Sequence, residues 1–109
     1  MQTTNRRGTI YLLHYSDPIG NPNTVHGMAR HYLGWCETRR LDIRLGQHAD
    51  GRGARLTRAF RRAGHVFVLA RTWKGTRDDE RRLKNRKEAP RLCPYCKGRY
   101  NLELDNPPF

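Results

Sequence analysis

Residues 9–15, TIYLLHY, are apolar or aromatic at both parities of an extended chain. Successive side chains of a strand point to opposite faces, so this segment has no face to offer to water. It reads as a strand at the centre of a sheet, covered above and below. Residues 65–73, HVFVLARTW, have the same character, and residues 29–35, ARHYLGW, form a further β segment between them in the chain. Residues 16–28 are broken by Asp17-Pro18, Gly20-Asn21-Pro22-Asn23 and Gly27. The first two strands are therefore expected to form a hairpin with a long exposed loop.

Elsewhere the period lengthens. Leu41, Arg44, Leu45 and His48 fall at i, i+3, i+4 and i+7, which predicts a helix over 37–50. Two polar residues share its stripe with two leucines, which is odd for a purely structural helix. Gly51 and Gly53 begin a turn. Leu56, Ala59, Phe60 and Ala63 repeat the spacing in a second short helix that Gly64 stops. Thr76 opens a third, with Asp79 three residues on as in a capping box. Glu80 lies in its first turn, on one face with Leu83 and Lys87, and Pro90 ends the helix or follows its end. The rest of the chain reads as irregular. The order β-β-α-α-β-α describes an α+β domain, a small sheet covered by helices. At 109 residues the chain has material for one core. We divide it into a domain at 1–90 and a C-terminal tail at 91–109, packed on the domain or partly disordered.

The longest uninterrupted apolar run is residues 66–70, and polar residues follow Met1. A soluble, cytoplasmic protein with no membrane partner is expected. Three cysteines, an odd number, suit a reducing compartment better than a disulfide scaffold. The net charge is +12, and 16 of the 22 lysines and arginines lie in residues 51–100. Such a concentration suits a polyanion, because basic side chains gain affinity by releasing counterions from phosphates. The alternative is a set of separately solvated charges.

Phosphodiester hydrolysis needs a base or orienting group for water, positive charge at the phosphate and commonly a carboxylate-held metal. Among the few acids, Glu80 alone combines a regular element with an apolar-face position in a basic segment. It reads equally as a ligand for a Mg²⁺ that keeps most of its waters or as a salt-bridge partner of Lys84. Arg44 and His48, one turn apart, read as a phosphate-holding, proton-relaying pair or as packing with a snorkelling arginine. Tyr11 and Tyr32 read as phenols at a phosphate or as cross-strand aromatic packing.

Taken together, these residues resemble the GIY-YIG nucleases. Thr9-Ile10-Tyr11 and Tyr32-Leu33-Gly34 are similar to the two strand motifs of that family, and Arg44 and His48 to its RxxxH pair on the following helix. Glu80 matches its metal-binding glutamate. Thr9 stands where the first glycine is usual and Leu33 where isoleucine is. Tyr11 and Tyr32 lie 21 residues apart, so the loop between them is long for the family. The resemblance implies a three-stranded antiparallel sheet flanked by helices and an endonuclease acting on DNA, with RNA left open. It implies one Mg²⁺ or Mn²⁺ on Glu80, Tyr11 as base or water-orienting group, Tyr32 positioning water or phosphate, Arg44 on the phosphorane charge and His48 binding or relaying. Arg52, Arg55 and Arg58 around the Gly-rich turn, and Arg81, Arg82, Lys84 and Lys87 on the last helix, are the expected nucleic-acid face. Trp35 and Trp73 end strands and read as core. Oligomeric state is not legible.

Two other functions compete: a basic DNA-binding module that does not cut, and a thiol-redox or zinc protein built on Cys93-Pro94-Tyr95-Cys96. The redox reading wants its first cysteine after a strand, opening a helix near the start of a βαβ pattern, which is absent here. A closed zinc site wants four ligands. Cys36 is the only other thiol, so completion by Cys36 and a histidine, or by a second chain, is the available route. The remaining reading is a reduced pair, Cys93 and Cys96, that packs the tail onto the domain.

Overall fold

A computed structural model of the chain describes residues 6–20, 28–87 and 89–97. Strand β1, Arg7–Gly20, lies between β2, Met28–Cys36, and β3, Phe67–Thr76, and pairs with both in antiparallel fashion. The central place follows from the two-sided apolar character of TIYLLHY. Ile10, Tyr11, Leu12 and Leu13 have no exposed surface. Helix α1, Leu41–Ala49, and helix α2, Arg55–Arg62, come between β2 and β3, and α3, Arg77–Arg86, follows β3. The chain is thus an α+β domain, a three-stranded antiparallel sheet flanked by helices.

The sheet separates two cores. Ile10, Leu12, Leu33 and Trp73 meet Leu83 of α3 and Cys93 on one face. Tyr11, Leu13, Tyr15 and Cys36 meet Phe60 of α2 on the other, with Leu41, Leu45 and Leu56 packed around them. Each face is built from one parity of β1.

The structure departs from the sequence expectations at four places. First, β1 runs on through Asp17 and Pro18, which the sequence assigns to a loop. Its pairing with β3 ends at Tyr15↔Phe67, and beyond an irregularity it pairs only with β2, at Ile19↔Ala29 and Gly20↔Met28. With one side unpaired, the missing N–H of Pro18 costs no ladder bond. Residues 21–27 of the expected loop lie outside the described residues. Second, the helix expected over 37–50 starts with a 3₁₀ turn, Thr38–Arg40, and becomes α-helical at Leu41. Third, β3 lies at the edge of the sheet and is not covered on both faces: Val68 and Leu69 are exposed. Pro90 follows the end of α3, which Lys87 stops in a left-handed conformation, φ 56°. Fourth, the tail is not irregular throughout. It forms two helical turns, α4 at Ala89–Leu92 and α5 at Pro94–Lys97, and proline suits the opening of such turns. Residues 98–109 lie outside the described residues.

The capping box is present in both halves. The Asp79 amide donates to Thr76 Oγ1 at 3.1 Å, and the Thr76 amide donates to Asp79 Oδ2 at 2.9 Å. It fixes the start of α3 and therefore the place of Glu80 one turn in. Thr76→Ala is expected to lower stability by about 1 kcal/mol, measured as a shift in urea midpoint at unchanged slope. An unchanged midpoint would show that packing alone sets the start of α3.

Candidate active site

Tyr11 sits at the middle of β1, opposite Gly34 of β2. A methyl group at position 34 would lie 2.5 Å from the Tyr11 hydroxyl, so the phenol lies across the glycine. The glycine of the YLG segment is there for space: any side chain would displace a fully buried ring. Tyr32 is on the same face as Tyr11, with ring centroids 6.2 Å apart.

Helix α1 carries Leu41, Leu45 and His48 onto that face. His48 is 1% exposed, and its Nε2 is 2.7 Å from the Tyr11 hydroxyl. Its Nδ1 is 3.1 Å from Thr57 Oγ1, and that hydroxyl donates to the Ala54 carbonyl at 2.8 Å. The last bond sets the direction of the others. With its hydrogen committed to Ala54, Thr57 can only accept, so Nδ1 of His48 carries the proton. Nε2 is then a lone pair, and Tyr11 donates to it. Gly53 is again a matter of space, because a methyl there would lie 2.2 Å from His48 Nδ1. The Gly-rich turn is thus packed against His48.

Arg44 also reaches this group. Its positive charge acts on the Tyr11 phenol, and its Nη1 donates to Gln47 at 2.8 Å. Its Nε is buried with no hydrogen-bond partner among the described residues. Burial and the Arg44 charge together hold His48 down at about 4, so it is neutral at pH 7. Burial, reinforced by Tyr32, pushes the Tyr11 phenol upward, against the pull of Arg44. In the free protein this is a protonated phenol held by a neutral imidazole.

Glu80 is 8% exposed and pairs with Lys84 Nζ at 3.0 Å. That ammonium also lies 5.2 Å over the Tyr32 ring, which links the carboxylate to the tyrosines. A groove of about 310 Å³ runs beside it, lined by Tyr32, Leu56, Lys84 and Lys87 together with His31 and Leu92. Of the expected nucleic-acid residues, Arg55, Arg58, Arg81 and Lys87 are exposed. Arg52 is exposed but pairs with Asp50 at 2.9 Å, and Arg82 pairs with Asp79 at 2.8 Å. Trp73 is core, and Trp35 is half-buried beneath the Arg77 guanidinium.

The CPYC segment lies on the other face of the sheet. Cys36 does not join it: its partner on β1 is Thr9, which places it among Tyr11 and Leu13 on the opposite face. Two residues that the sequence reading passed over, His14 and His31, meet Cys93 and Cys96 instead, and the four form a group able to bind a metal ion. The parity of the strands carried the signal. If Tyr11 and Tyr32 share one face, His14 and His31 share the other.

No family model matches the chain, and no curated protein or solved structure matches it.

The depressed His48 value has a consequence for stability. Between about 6.5 and about 4 the unfolded chain binds the proton and the folded one does not. The contribution of His48 is complete above pH 6.5 and is lost as pH falls toward 4. In urea unfolding, the stability gap between wild type and His48→Gln should narrow over that window. A gap independent of pH would contradict a buried neutral His48.

Proposed function

We propose that this chain is a divalent-metal-dependent endonuclease that hydrolyses DNA phosphodiester bonds in the manner of GIY-YIG nucleases. The observation that carries the reading is the convergence of Tyr11, Tyr32, Arg44 and His48, drawn from three elements, on one cluster held by the Tyr11–His48 hydrogen bond and by ring contacts to Tyr32. Cross-strand aromatic packing explains the tyrosines. It does not explain a neutral imidazole aimed at a phenol under a guanidinium with a spare buried donor.

The chemistry follows from the polarity of these bonds. The Tyr11 proton already points at His48 Nε2. A water attacking phosphorus can give its proton to the Tyr11 oxygen while Tyr11 passes its own to His48, so no free phenolate is needed. His48 becomes the imidazolium, the bond from phosphorus to the leaving oxygen breaks, and that oxygen takes a proton from solvent. The Arg44 charge opposes the imidazolium until an anion offsets it. A phosphate at Arg44 therefore raises the basicity of His48 when substrate is in place. Tyr11 has no exposed surface in the free protein, so the reaction requires the site to open enough to admit the attacking water. Tyr32, half-buried at the groove, is placed to position the phosphate.

Glu80 fits a hard divalent ion. It is a buried oxygen donor whose present partner is a cation, the exposed Lys84 ammonium, so a positive charge is already accommodated there. Mg²⁺ or Mn²⁺ bound there would supply Lewis acidity at the phosphate and leaving oxygen. Arg55, Arg58, Arg81 and Lys87 are exposed for backbone phosphates, and the arginines suit bidentate contact. The thiol-redox reading is less favoured, because Cys93 has no exposed surface with which to meet a disulfide.

The test is a cleavage panel of single-stranded, branched and duplex DNA and RNA, with Mg²⁺ or Mn²⁺ supplied or chelated. The proposal expects metal-dependent cutting of DNA. Glu80→Ala should lose at least about a hundredfold in rate, comparable to loss of a transition-state donor, while DNA binding is retained. Binding without cutting on every DNA substrate would establish the non-cutting module instead.

A further inference from the structure

Opposed pairs on the hairpin run Ile10↔Trp35, Leu12↔Leu33 and His14↔His31 along the face that the tail covers. The first two pairs are hydrocarbon or indole packed into the core. The third puts two imidazoles at the end of the same row, and the CPYC segment lies over them. His14 Nδ1 is 3.3 Å from His31 Nε2, 3.3 Å from Cys93 Sγ and 3.7 Å from Cys96 Sγ. Cys96 Sγ is 3.2 Å from His31 Nε2, and all four donor atoms lie within 4.8 Å of one another.

Hydrogen bonds do not account for this crowding. A ring nitrogen carries either one hydrogen or one lone pair, yet three heteroatoms converge on His14 Nδ1. A cation at the centre would use all the lone pairs at once. Zinc binds nitrogen at about 2.0–2.1 Å and thiolate at about 2.3 Å, so a tetrahedral Cys₂His₂ site has ligand–ligand edges of roughly 3.3–3.8 Å. Four of the six separations, 3.2 to 3.7 Å, fall close to those edges, and the other two lie within 4.8 Å. Two thiolates and two neutral imidazoles cancel the charge of a divalent ion, which suits a site whose Cys93 is wholly buried. Sulfur donors select zinc over Mg²⁺, and the C-x₂-C spacing is that of a structural half-site.

We propose that His14, His31, Cys93 and Cys96 bind one structural zinc ion that fastens α4 and α5 to the β1–β2 hairpin. Four protein ligands leave no open position, so the ion is not catalytic. Neighbouring contacts hold the same region down: Arg71 Nη1 donates to the Leu92 carbonyl, and Tyr95 lies against the His14 ring. Since His31 and Leu92 line the groove beside Tyr32, the ion also sets one wall of it. Only the part that this groove plays for a substrate rests on the nuclease reading.

The test needs no nucleic acid, so its outcome is independent of cleavage. The full chain, purified without chelator, is supplied with Zn²⁺ and dialysed, and metal per chain is measured. Co²⁺ is then substituted and its visible spectrum recorded. One zinc per chain is expected, with a tetrahedral cobalt spectrum that includes a thiolate charge-transfer band. Cys96 is exposed, so Cys96→Ser should fold, and it should lose more than the roughly 100-fold in zinc affinity that removal of a merely supporting group costs. Cys36→Ser should keep full occupancy. Zinc well below one per chain, a cobalt spectrum without thiolate, or unchanged affinity in Cys96→Ser would overturn the proposal.

Discussion

The hydrogen bond from Tyr11 to His48 is the constraint around which the domain is arranged. It joins the central strand to the first helix at a point with no access to water, and both of its partners must be satisfied there. Two glycines exist to let it form: Gly34 leaves room for the phenol and Gly53 for the imidazole. Thr57, at the start of α2, fixes which nitrogen of His48 bears the proton. One bond thus ties β1, β2, α1 and α2 together. The same requirement keeps polar groups on a helix stripe that would otherwise be leucine.

The sheet divides the work. One parity of β1, Tyr11, Leu13 and Tyr15, faces α1 and α2 and carries the candidate chemistry. The other, Ile10, Leu12 and His14, faces α3 and the tail, and ends in the His/Cys group. A strand buried on both sides allows this, because each face can specialise without disturbing the other. Lys84 and the groove lie where the two sides meet, at Tyr32 and His31, neighbours on β2 that point opposite ways.

Much of the fold was legible in the sequence. Two-sided apolar character located β1, the 3.6 period located α1 and α2, and the Thr76–Asp79 pattern located the start of α3 to the residue. The Leu41–Arg44–Leu45–His48 stripe correctly grouped side chains that meet in the structure. What failed was long-range pairing. Completing a metal site with Cys36 followed from counting thiols, whereas the register places Cys36 beside Thr9 on the wrong face. His14 and His31 are far apart in the chain and become neighbours only through that register. Pro18 was misread for a similar reason, since a strand paired on one side tolerates what a doubly paired one does not.

The hydrogen-bonded chain from Tyr11 through His48 and Thr57 to Ala54 has one fixed polarity. Nitrogen-15 NMR of the histidine rings, with His48 assigned by comparison with His48→Gln, reads it directly. His48 should be neutral at pH 7, protonated at Nδ1 and accepting at Nε2. An imidazolium at that pH, or a proton on Nε2, would contradict it.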